Sequence, residues 1–234
     1  EILVVNDSKK TSPQLPSDPR LRIIPNDGVG AAAARNTGAK LAEGKLLLFL
    51  DDDIIISSNT LNHVVAVHEV TPNVCLNLDW EYPAKIKQAF TASQFLIFLF
   101  KNNFTTFKGW YNYASWRDNQ LFRSKAVASF HLSMARRDFE MVGGYNDSFP
   151  AAGFEDYDFP VRLRKAGLSM LIDTRIKVYH NEEDKFNLQK WLLSQERRAV
   201  TRKVAVGLGY TELALRFSLP KKGSILTLGL LANF

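Results

Sequence analysis

Apolar runs and helical patterns alternate along the chain. Runs rich in β-branched and other apolar residues predict strands at residues 1–5, 21–24, 45–50, 127–135 and 170–179. Alanine-rich or amphipathic patterns predict helices at residues 31–42, 61–70, 137–142, 154–166 and about 187–206. Residues 85–123 are rich in aromatic side chains and predict no definite element. Because the strands are too apolar to face water on either side, we expect an α/β fold whose sheet is mixed, mostly parallel and flanked by helices.

The composition is that of an ordinary globular protein. The 234 residues, 46% of them hydrophobic, suffice to bury a substantial core. The net charge of +6 favours anionic partners, but the basic residues do not interleave with aromatic ones as in nucleic-acid-binding modules, so we expect no nucleic acid. Cys75 is the only cysteine, which excludes an intrachain disulfide and a cysteine-rich metal site and favours a cytoplasmic compartment.

Three consecutive carboxylates, Asp51, Asp52 and Asp53, directly follow the strand pattern at residues 45–50. Ligands of open α/β sheets bind outside the carboxyl ends of the strands. Adjacent carboxylates repel one another, and a divalent cation such as Mg²⁺ or Mn²⁺ relieves the repulsion and can bind diphosphate oxygens. The cluster therefore predicts a metal site, with a solvated turn that caps the next helix as the alternative.

A glycine pattern before this cluster offers a second interpretation. Residues 28–33 (GVGAAA) fit the G-x-G-x-x-A dinucleotide fingerprint, after a strand and before a helix, with acidic residues about 20 positions further on. An NAD-dependent oxidoreductase needs one such acid for a ribose hydroxyl. Three in a row exceed that need and would repel a phosphate in the absence of a metal, so the oxidoreductase is kept as the alternative function.

A second acidic pair, Glu155 and Asp156, begins a predicted helix beside glycine-rich loops. The helix dipole stabilises negative charge at that position, so the pair can simply cap the helix. A carboxylate fixed there is also suited to take a proton from an incoming hydroxyl group. His180 follows the strand pattern at residues 170–179 and is either an ordinary strand-end side chain or a further metal ligand.

Four motifs, in their order and spacing, are similar to those of the family 2 glycosyltransferases. They are residues 2–8 (ILVVNDS), 30–38 (GAAAARNTG), 48–53 (LFLDDD) and 143–162, which contain GGY and EDYD. The resemblance covers residues 1–185 and implies a GT-A fold, with residues 186–234 as a basic helical extension. Members of the family normally begin with a further strand, so the resemblance also implies that the natural protein continues upstream of Glu1.

The resemblance implies a role for each candidate residue. Residues on the donor side are Asn6, Asp7, Arg35, Asn36, Asp51 and Asp52. Metal ligands are Asp51, Asp53 and His180, which would hold Mn²⁺ or Mg²⁺. Asp156 matches the general base, and Glu155 lies beside it.

The implied reaction is an inverting, metal-dependent transfer from a UDP- or GDP-sugar to an acceptor hydroxyl, in polysaccharide or glycoconjugate synthesis. The acceptor is a saccharide or a lipid-linked molecule. A non-catalytic nucleotide or carbohydrate binder is a further alternative. Aromatic residues that either stack on an acceptor sugar or belong to the core are Trp110, Tyr111, Tyr113 and Trp116.

Basic residues near the end of the chain predict either a solvated helix face or a peripheral contact with the inner face of a membrane. They are Arg197, Arg198, Arg202, Lys203, Lys221 and Lys222. The apolar residues 225–234 follow them and are compatible with the start of a membrane segment.

Overall fold

Strands and helices follow one another in short runs along the described part of the chain. The computed structural model describes residues 1–90, 93–102, 105–108, 116–182 and 187–214. The strands are β1 (Ile2–Asn6), β2 (Leu21–Pro25), β3 (Leu46–Leu50), β4 (Ile54–Ile55), β5 (Val74–Glu81), β6 (Leu121–Arg123), β7 (His131–Ala135) and β8 (Ser169–His180). The helices are α1 (Gly30–Leu41), α2 (Thr60–Val70), α3 (Ala84–Ala89), α4 (Gln94–Lys101), α5 (Arg136–Met141), α6 (Glu155–Lys165) and α7 (Leu188–Gly207), followed by a short 3₁₀ helix, Thr211–Leu213.

The strands form a mixed arrangement, as predicted. β1 and β2 make a parallel two-stranded sheet, and the larger sheet has the order β3-β7-β5-β8-β4, with β6 also paired to β8. The expectation of mostly parallel pairing is wrong for this larger sheet, where only β5 and β8 are parallel among the described pairs. The apolar pattern shows which segments are strands, but it does not show that β7 inserts between β3 and β5 in the opposite direction.

The central strand β5 has no counterpart among the predicted strands. Its side chains alternate between two buried clusters, with Leu76 and Leu78 against α2, α3 and α4 and Cys75 against α1, α5 and α6. Asn77 lies in the middle of β5 and is completely buried. A buried amide must form hydrogen bonds, and Asn77 does so with the loop before β7.

The loop before β7 occupies residues that the sequence pattern predicted to be a strand. The strand pattern at residues 127–135 begins too early, because only His131–Ala135 pair as β7. The Asn77 side chain accepts from the Ala128 N–H at 2.7 Å and donates to the Ala128 carbonyl at 2.9 Å. These bonds hold residues 127–130 as an ordered loop, although their apolar character is that of a strand.

The helix α7 packs beside α6. Phe149, Phe154 and Ala205 form a third buried cluster, to which side chains from the end of α7 and from the 3₁₀ helix add further contacts. No helix among the described residues combines the length and apolar character needed to cross a bilayer. Lys221, Lys222 and residues 225–234 lie outside the described residues.

Candidate active site

The guanidinium group of Arg35 joins the two acidic motifs. Its Nη2 donates to Asp51 Oδ1 at 2.8 Å, and its Nη1 lies 3.5 Å from Glu155 Oε1. The side chain, only 11% exposed, extends from α1 with its guanidinium 5.3 Å from the centre of the Tyr145 ring. Residues that are about 100 positions apart in sequence therefore meet around one buried cation.

Glu155 and Asp156 begin α6, as predicted. The Glu155 carboxylate, 2% exposed, accepts from the Gly153 N–H, and Asp156 Oδ1 accepts from both the N–H and the hydroxyl of Ser129. Burial raises the pKa of both carboxyl groups, and repulsion from Asp156 raises that of Glu155 further, whereas the positive charge of Arg35 opposes both shifts. We call Glu155 and Asp156 the acid pair. Because Arg35 lowers the pKa of both carboxyl groups, it favours their ionised forms.

The substitution Glu155→Gln is expected to make folding stability less dependent on pH. Burial raises the pKa of Glu155 above its ordinary value of 4.5, so the folded protein retains a proton that the unfolded chain has released. The free energy of unfolding therefore falls as pH rises above about 4.5, until the folded carboxyl also ionises. Urea unfolding between about pH 4.5 and pH 8 measures this fall. Because glutamine does not ionise, Glu155→Gln should lack the part of the fall that Glu155 contributes. Equal pH slopes in wild type and Glu155→Gln would contradict the prediction, and the exposed Glu140→Gln is the control.

A second group of side chains, of the types that bind metal ions, lies at the end of β8. His180 Nε2 is 3.2 Å from Asp53 Oδ1 and 3.3 Å from Glu182 Oε1, and one ligand atom from each residue lies within 4.8 Å of the others. Pairing of Ile54 with His180 and a 2.7 Å hydrogen bond from the Asn181 N–H to the Asp53 carbonyl fix this arrangement. Asp53, His180 and Glu182 could together hold a metal ion, and we call this group the metal cluster.

Aromatic side chains hold the imidazole of His180 in place. Phe130 stacks on it with ring centres 5.5 Å apart, Tyr82 lies parallel at 6.1 Å, and Trp80 approaches edge-on at 5.2 Å. The Tyr82 hydroxyl also donates to Glu182 Oε2 at 3.2 Å. Ring packing therefore fixes His180, and a hydrogen bond fixes Glu182.

The three consecutive aspartates have different surroundings. Asp51 binds Arg35 through its carboxylate and the Phe130 carbonyl through its N–H, and it is not a member of the metal cluster found among the described residues. Asp52 is exposed to solvent. Asp53 lies beside His180 in the metal cluster, whose third member is Glu182 and not Asp51.

The predicted donor-side residues at the end of β1 stabilise the following loops. Asp7 accepts from the Gly30 N–H at 3.0 Å and from Asn26 Nδ2 at 2.7 Å, which fixes the start of α1. The Asn6 side chain accepts from the Ser8 N–H at 3.0 Å. Both residues thus lie at the carboxyl end of a strand, as expected, and their side chains already contact the protein.

Asn36 connects α1 to the glycine-rich loop before α6. Its amide donates to the Tyr145 carbonyl and accepts from the Tyr145 N–H, both at 2.8 Å. Gly144 has a φ of +67°, and a Cβ there would overlap the Asn36 side chain. The GGY motif therefore requires glycine at this position, because only glycine permits both the backbone conformation and the close approach.

The glycine pattern at residues 28–33 does not lie in the strand–helix–strand unit that dinucleotide binding requires. A dinucleotide site needs a strand, a helix and a second strand in one parallel sheet. Here β2 pairs with β1, whereas β3 belongs to the larger sheet. The acid about 20 positions further on, Asp51, is bound to Arg35.

Comparison with known proteins agrees with this geometry. The sequence pattern described as Glycosyl transferase family 2 matches residues 1–141, which include β1, α1 and the three aspartates. The chain belongs to this family. No curated protein matches it by sequence.

Solved glycosyltransferase structures resemble the fold at low sequence identity. The crystal structure of S. aureus TarS 1-349 is 13% identical, with a TM-score of 0.50 over 80% of this chain and 52% of that one. GalNAc-T7 with UDP, GalNAc and Mn2+ is 16% identical, with a TM-score of 0.48 over 68% of this chain and 32% of that one. The mannosyltransferase PcManGT from Pyrobaculum calidifontis, in complex with GDP-Man and Mn2+, is 13% identical, with a TM-score of 0.43 over 92% of this chain and 63% of that one.

The chain therefore spans less than two thirds of each of these structures. Together with the family match, its α/β layers and mixed sheet identify the GT-A fold of family 2 glycosyltransferases.

Three residues near the site of this glycosyltransferase domain escaped the sequence analysis. Glu182 lies two positions after His180, and that spacing places both side chains on one face of an extended segment. Ser129 and Tyr82 give no comparable signal, because each reaches the site only through the folding of distant segments.

The C-terminal segment contacts the helix that carries the acid pair. The Tyr210 hydroxyl donates to Asp158 Oδ1 at 2.6 Å, and the Tyr157 hydroxyl donates to Glu212 at 2.7 Å. A Cβ at Gly153 would overlap Thr201 of α7, so the loop before Glu155 lies directly against that helix. Residues 187–214 therefore support the start of α6 from the outside.

Proposed function

We propose that this domain transfers a sugar from a UDP- or GDP-sugar to an acceptor hydroxyl, with inversion at the anomeric carbon and with a divalent metal. The observation that carries the proposal is the meeting of both acidic motifs at Arg35, with Asp51 on one side and Glu155 on the other. Family membership supports the reaction class, and this geometry supports a single site for donor and acceptor.

The metal cluster fits a cation of the proposed kind. Two carboxylates and one imidazole suit Mn²⁺, and the carboxylates alone also suit Mg²⁺. The aromatic contacts of His180 and the Tyr82 hydrogen bond orient the ligand atoms before a metal binds. When bound, the metal would neutralise charge that develops on the departing nucleoside diphosphate.

Asp156 is proposed as the general base. Its carboxylate takes the proton of the acceptor hydroxyl while the acceptor oxygen forms a bond to the anomeric carbon. The bond from that carbon to the diphosphate oxygen breaks, and its electron pair leaves with the diphosphate. Burial raises the pKa of Asp156, which makes the carboxylate a stronger base, and the two bonds from Ser129 orient it.

The test of this function is metal-dependent nucleotide binding, measured by thermal shift. We expect UDP or GDP to raise the unfolding temperature with Mn²⁺ and much less without it, and NAD to have no effect. Asp53→Ala should remove the metal dependence, and the exposed Glu69→Ala on α2 should retain it. Stabilisation by NAD without metal would favour the oxidoreductase, and nucleotide binding without any donor turnover would favour a non-catalytic binder.

The acceptor is proposed to be a component of polysaccharide or glycoconjugate synthesis. Exposed residues of α7, among them Arg197, Lys203 and Leu193, support a peripheral contact with anionic lipid. Arg198 and Arg202 instead lie over the Phe154 ring, at 5.9 and 5.1 Å, and so contribute to packing. Co-sedimentation with anionic vesicles that persists in Arg197→Glu/Lys203→Glu would exclude this contact.

A further inference from the structure

The loop before β7 contacts both parts of the candidate active site. Ser129 donates its N–H, at 3.3 Å, and its hydroxyl to Asp156. The ring of the next residue, Phe130, stacks on His180 with ring centres 5.5 Å apart and an angle of 5° between the planes. The Phe130 carbonyl also accepts from the Asp51 N–H at 3.0 Å. Two adjacent loop residues thus connect the proposed base to the metal cluster.

The Asn77 side chain holds this loop on both sides of Ser129 and Phe130. Its Oδ1 accepts from the Ala128 N–H at 2.7 Å. Its Nδ2 donates to the Ala128 carbonyl at 2.9 Å and to the His131 carbonyl. All three bonded residues are buried. The amide therefore fixes the backbone immediately before Ser129 and immediately after Phe130, which restricts the positions that these two residues can take.

The hydrogen bonds of the β7 ladder do not extend to Ala128. The pairs of β7 with β3 begin at His131, so Ala128 lies before the ladder. A buried backbone N–H and a buried carbonyl each need a partner, and an amide side chain offers an acceptor and two donors in one group. Asn77 lies on β5, which pairs with β7 on one side and β8 on the other. The loop is therefore bonded to a central strand of the sheet.

Aromatic packing adds a second support for the Phe130 ring. Phe107 is completely buried, and its ring centre lies 5.7 Å from that of Phe130. Trp116, one of the residues considered for stacking on an acceptor sugar, is 9% exposed and contacts Phe107 at 6.2 Å. The other three such residues lie outside the described residues: Trp110, Tyr111 and Tyr113. Packing thus restrains the ring, whereas the bonds from Asn77 set the course of the backbone that carries it.

We propose that Asn77 is a positioning residue for the transfer reaction. Through the loop it holds Phe130 against His180 and Ser129 against Asp156, so that metal binding and proton transfer both depend on one buried amide. This inference rests on the proposed function, because the two contacts belong to its metal cluster and its base. If Asn77 only stabilised the fold, its loss would lower stability without changing either contact selectively.

Asn77→Leu tests this role, because it replaces the amide with an apolar group of similar size and removes its hydrogen bonds. We expect backbone hydrogen exchange at Ala128 and Ser129 to become at least about tenfold faster in the metal-free protein, measured by NMR. The affinity for Mn²⁺ alone, measured by calorimetry, should fall about 10- to 100-fold, the usual effect of losing a contact that orients a metal ligand. With Mn²⁺ and donor at saturation, kcat should also fall at least about tenfold.

Ser133→Ala is the matched control. Ser133 is also completely buried in the sheet, and its hydroxyl lies 2.9 Å from His68 Nε2. Its removal likewise takes a buried polar contact from the sheet, but loop exchange, Mn²⁺ affinity and kcat should each stay within about twofold of wild type. Should Asn77→Leu not fold, Asn77→Ser, which is smaller and retains one hydroxyl, takes its place with the same directions expected.

Double-mutant cycles separate positioning from general destabilisation. Ser129→Ala removes the hydroxyl contact to Asp156. In that background Asn77→Leu should lower kcat by at most about threefold further, because only the N–H contact is left to lose, and should still weaken Mn²⁺ binding. Phe130→Leu removes the ring contact to His180. In that background Asn77→Leu should leave Mn²⁺ affinity within about twofold and still lower kcat.

Three outcomes would overturn the inference. Equal losses of kcat and Mn²⁺ affinity in every background, or failure of both Asn77→Leu and Asn77→Ser to fold, would assign Asn77 to the stability of the whole domain. Wild-type loop exchange and Mn²⁺ affinity in Asn77→Leu, in a protein that binds UDP or GDP with Mn²⁺, would reject the positioning role and leave the proposed function intact. Absence of metal-dependent nucleotide binding in the wild-type protein would remove the role together with the proposed function.

Discussion

Asp156→Asn is expected to lower the rate of sugar transfer by about 10²- to 10⁴-fold, the range that general base catalysis contributes. Asparagine keeps the shape of the side chain and can still accept from the Ser129 N–H and hydroxyl, but it cannot take the acceptor proton. Binding of UDP or GDP with Mn²⁺ should remain within about twofold, because the metal cluster consists of other residues. Turnover measured with the nucleotide-sugar that the thermal-shift assay selects gives the rate.

The control is Asp147→Asn, which removes an exposed carboxylate from the loop before α6. It should transfer sugar at the wild-type rate. A wild-type rate in Asp156→Asn would reject Asp156 as the base. Loss of nucleotide binding in Asp156→Asn would instead mean that the acid pair maintains the donor site.

Ala205→Asp is expected to lower the free energy of unfolding by about 3 to 5 kcal/mol, the cost of an unpaired charge in the interior. Ala205 is completely buried where α7 meets Phe149 and Phe154, and Phe154 directly precedes the acid pair. The displaced helix would release the loop at Gly153, whose N–H donates to Glu155. We therefore expect transfer to fall as well, at temperatures where the protein is still folded.

Chemical unfolding and turnover at about 10 °C separate the two effects. Ala199→Asp is the matched control, because Ala199 is exposed on the same helix and the same charge should cost less than about 0.5 kcal/mol there. If Ala205→Asp unfolds at the wild-type urea concentration, residues 187–214 do not support the domain. If it is destabilised but transfers normally when folded, α7 stabilises the domain without positioning the acid pair.

Most strands and helices could be predicted because they depend on local patterns. Apolar runs correctly marked β1, β2, β3 and β8, and the residues 31–42 correctly marked α1. The strand β5 was missed because Asn77 and Asp79 interrupt its apolar run. Asn77 is tolerated at the centre of the sheet only because the loop before β7 satisfies its amide, and that loop is 51 residues away in sequence.

The residues of the candidate site could be predicted from the sequence, but which of them lie together could not. Motifs in the sequence identified five candidate residues: Asp51, Asp53, Glu155, Asp156 and His180. It placed Asp51 with Asp53 because they are neighbours in sequence. In the fold, the turn after β3 directs Asp51 to Arg35 and leaves Asp53 beside β8, where the β4 pairing aligns it with His180.

By itself, the sequence determined the family, many of the strands and helices, and the residue types available for metal binding and proton transfer, because motifs and periodicity are properties of neighbouring positions. Only the tertiary structure decided which side chains each carboxylate contacts. Arg35 contacts both Asp51 and Glu155, and Glu182, which accepts from the Tyr82 hydroxyl, lies with Asp53 and His180 in the group that could hold a metal ion. The physical reason is that charges and hydrogen bonds act over a few ångströms, so their pairing depends on distances that only the packing of sheets and helices sets.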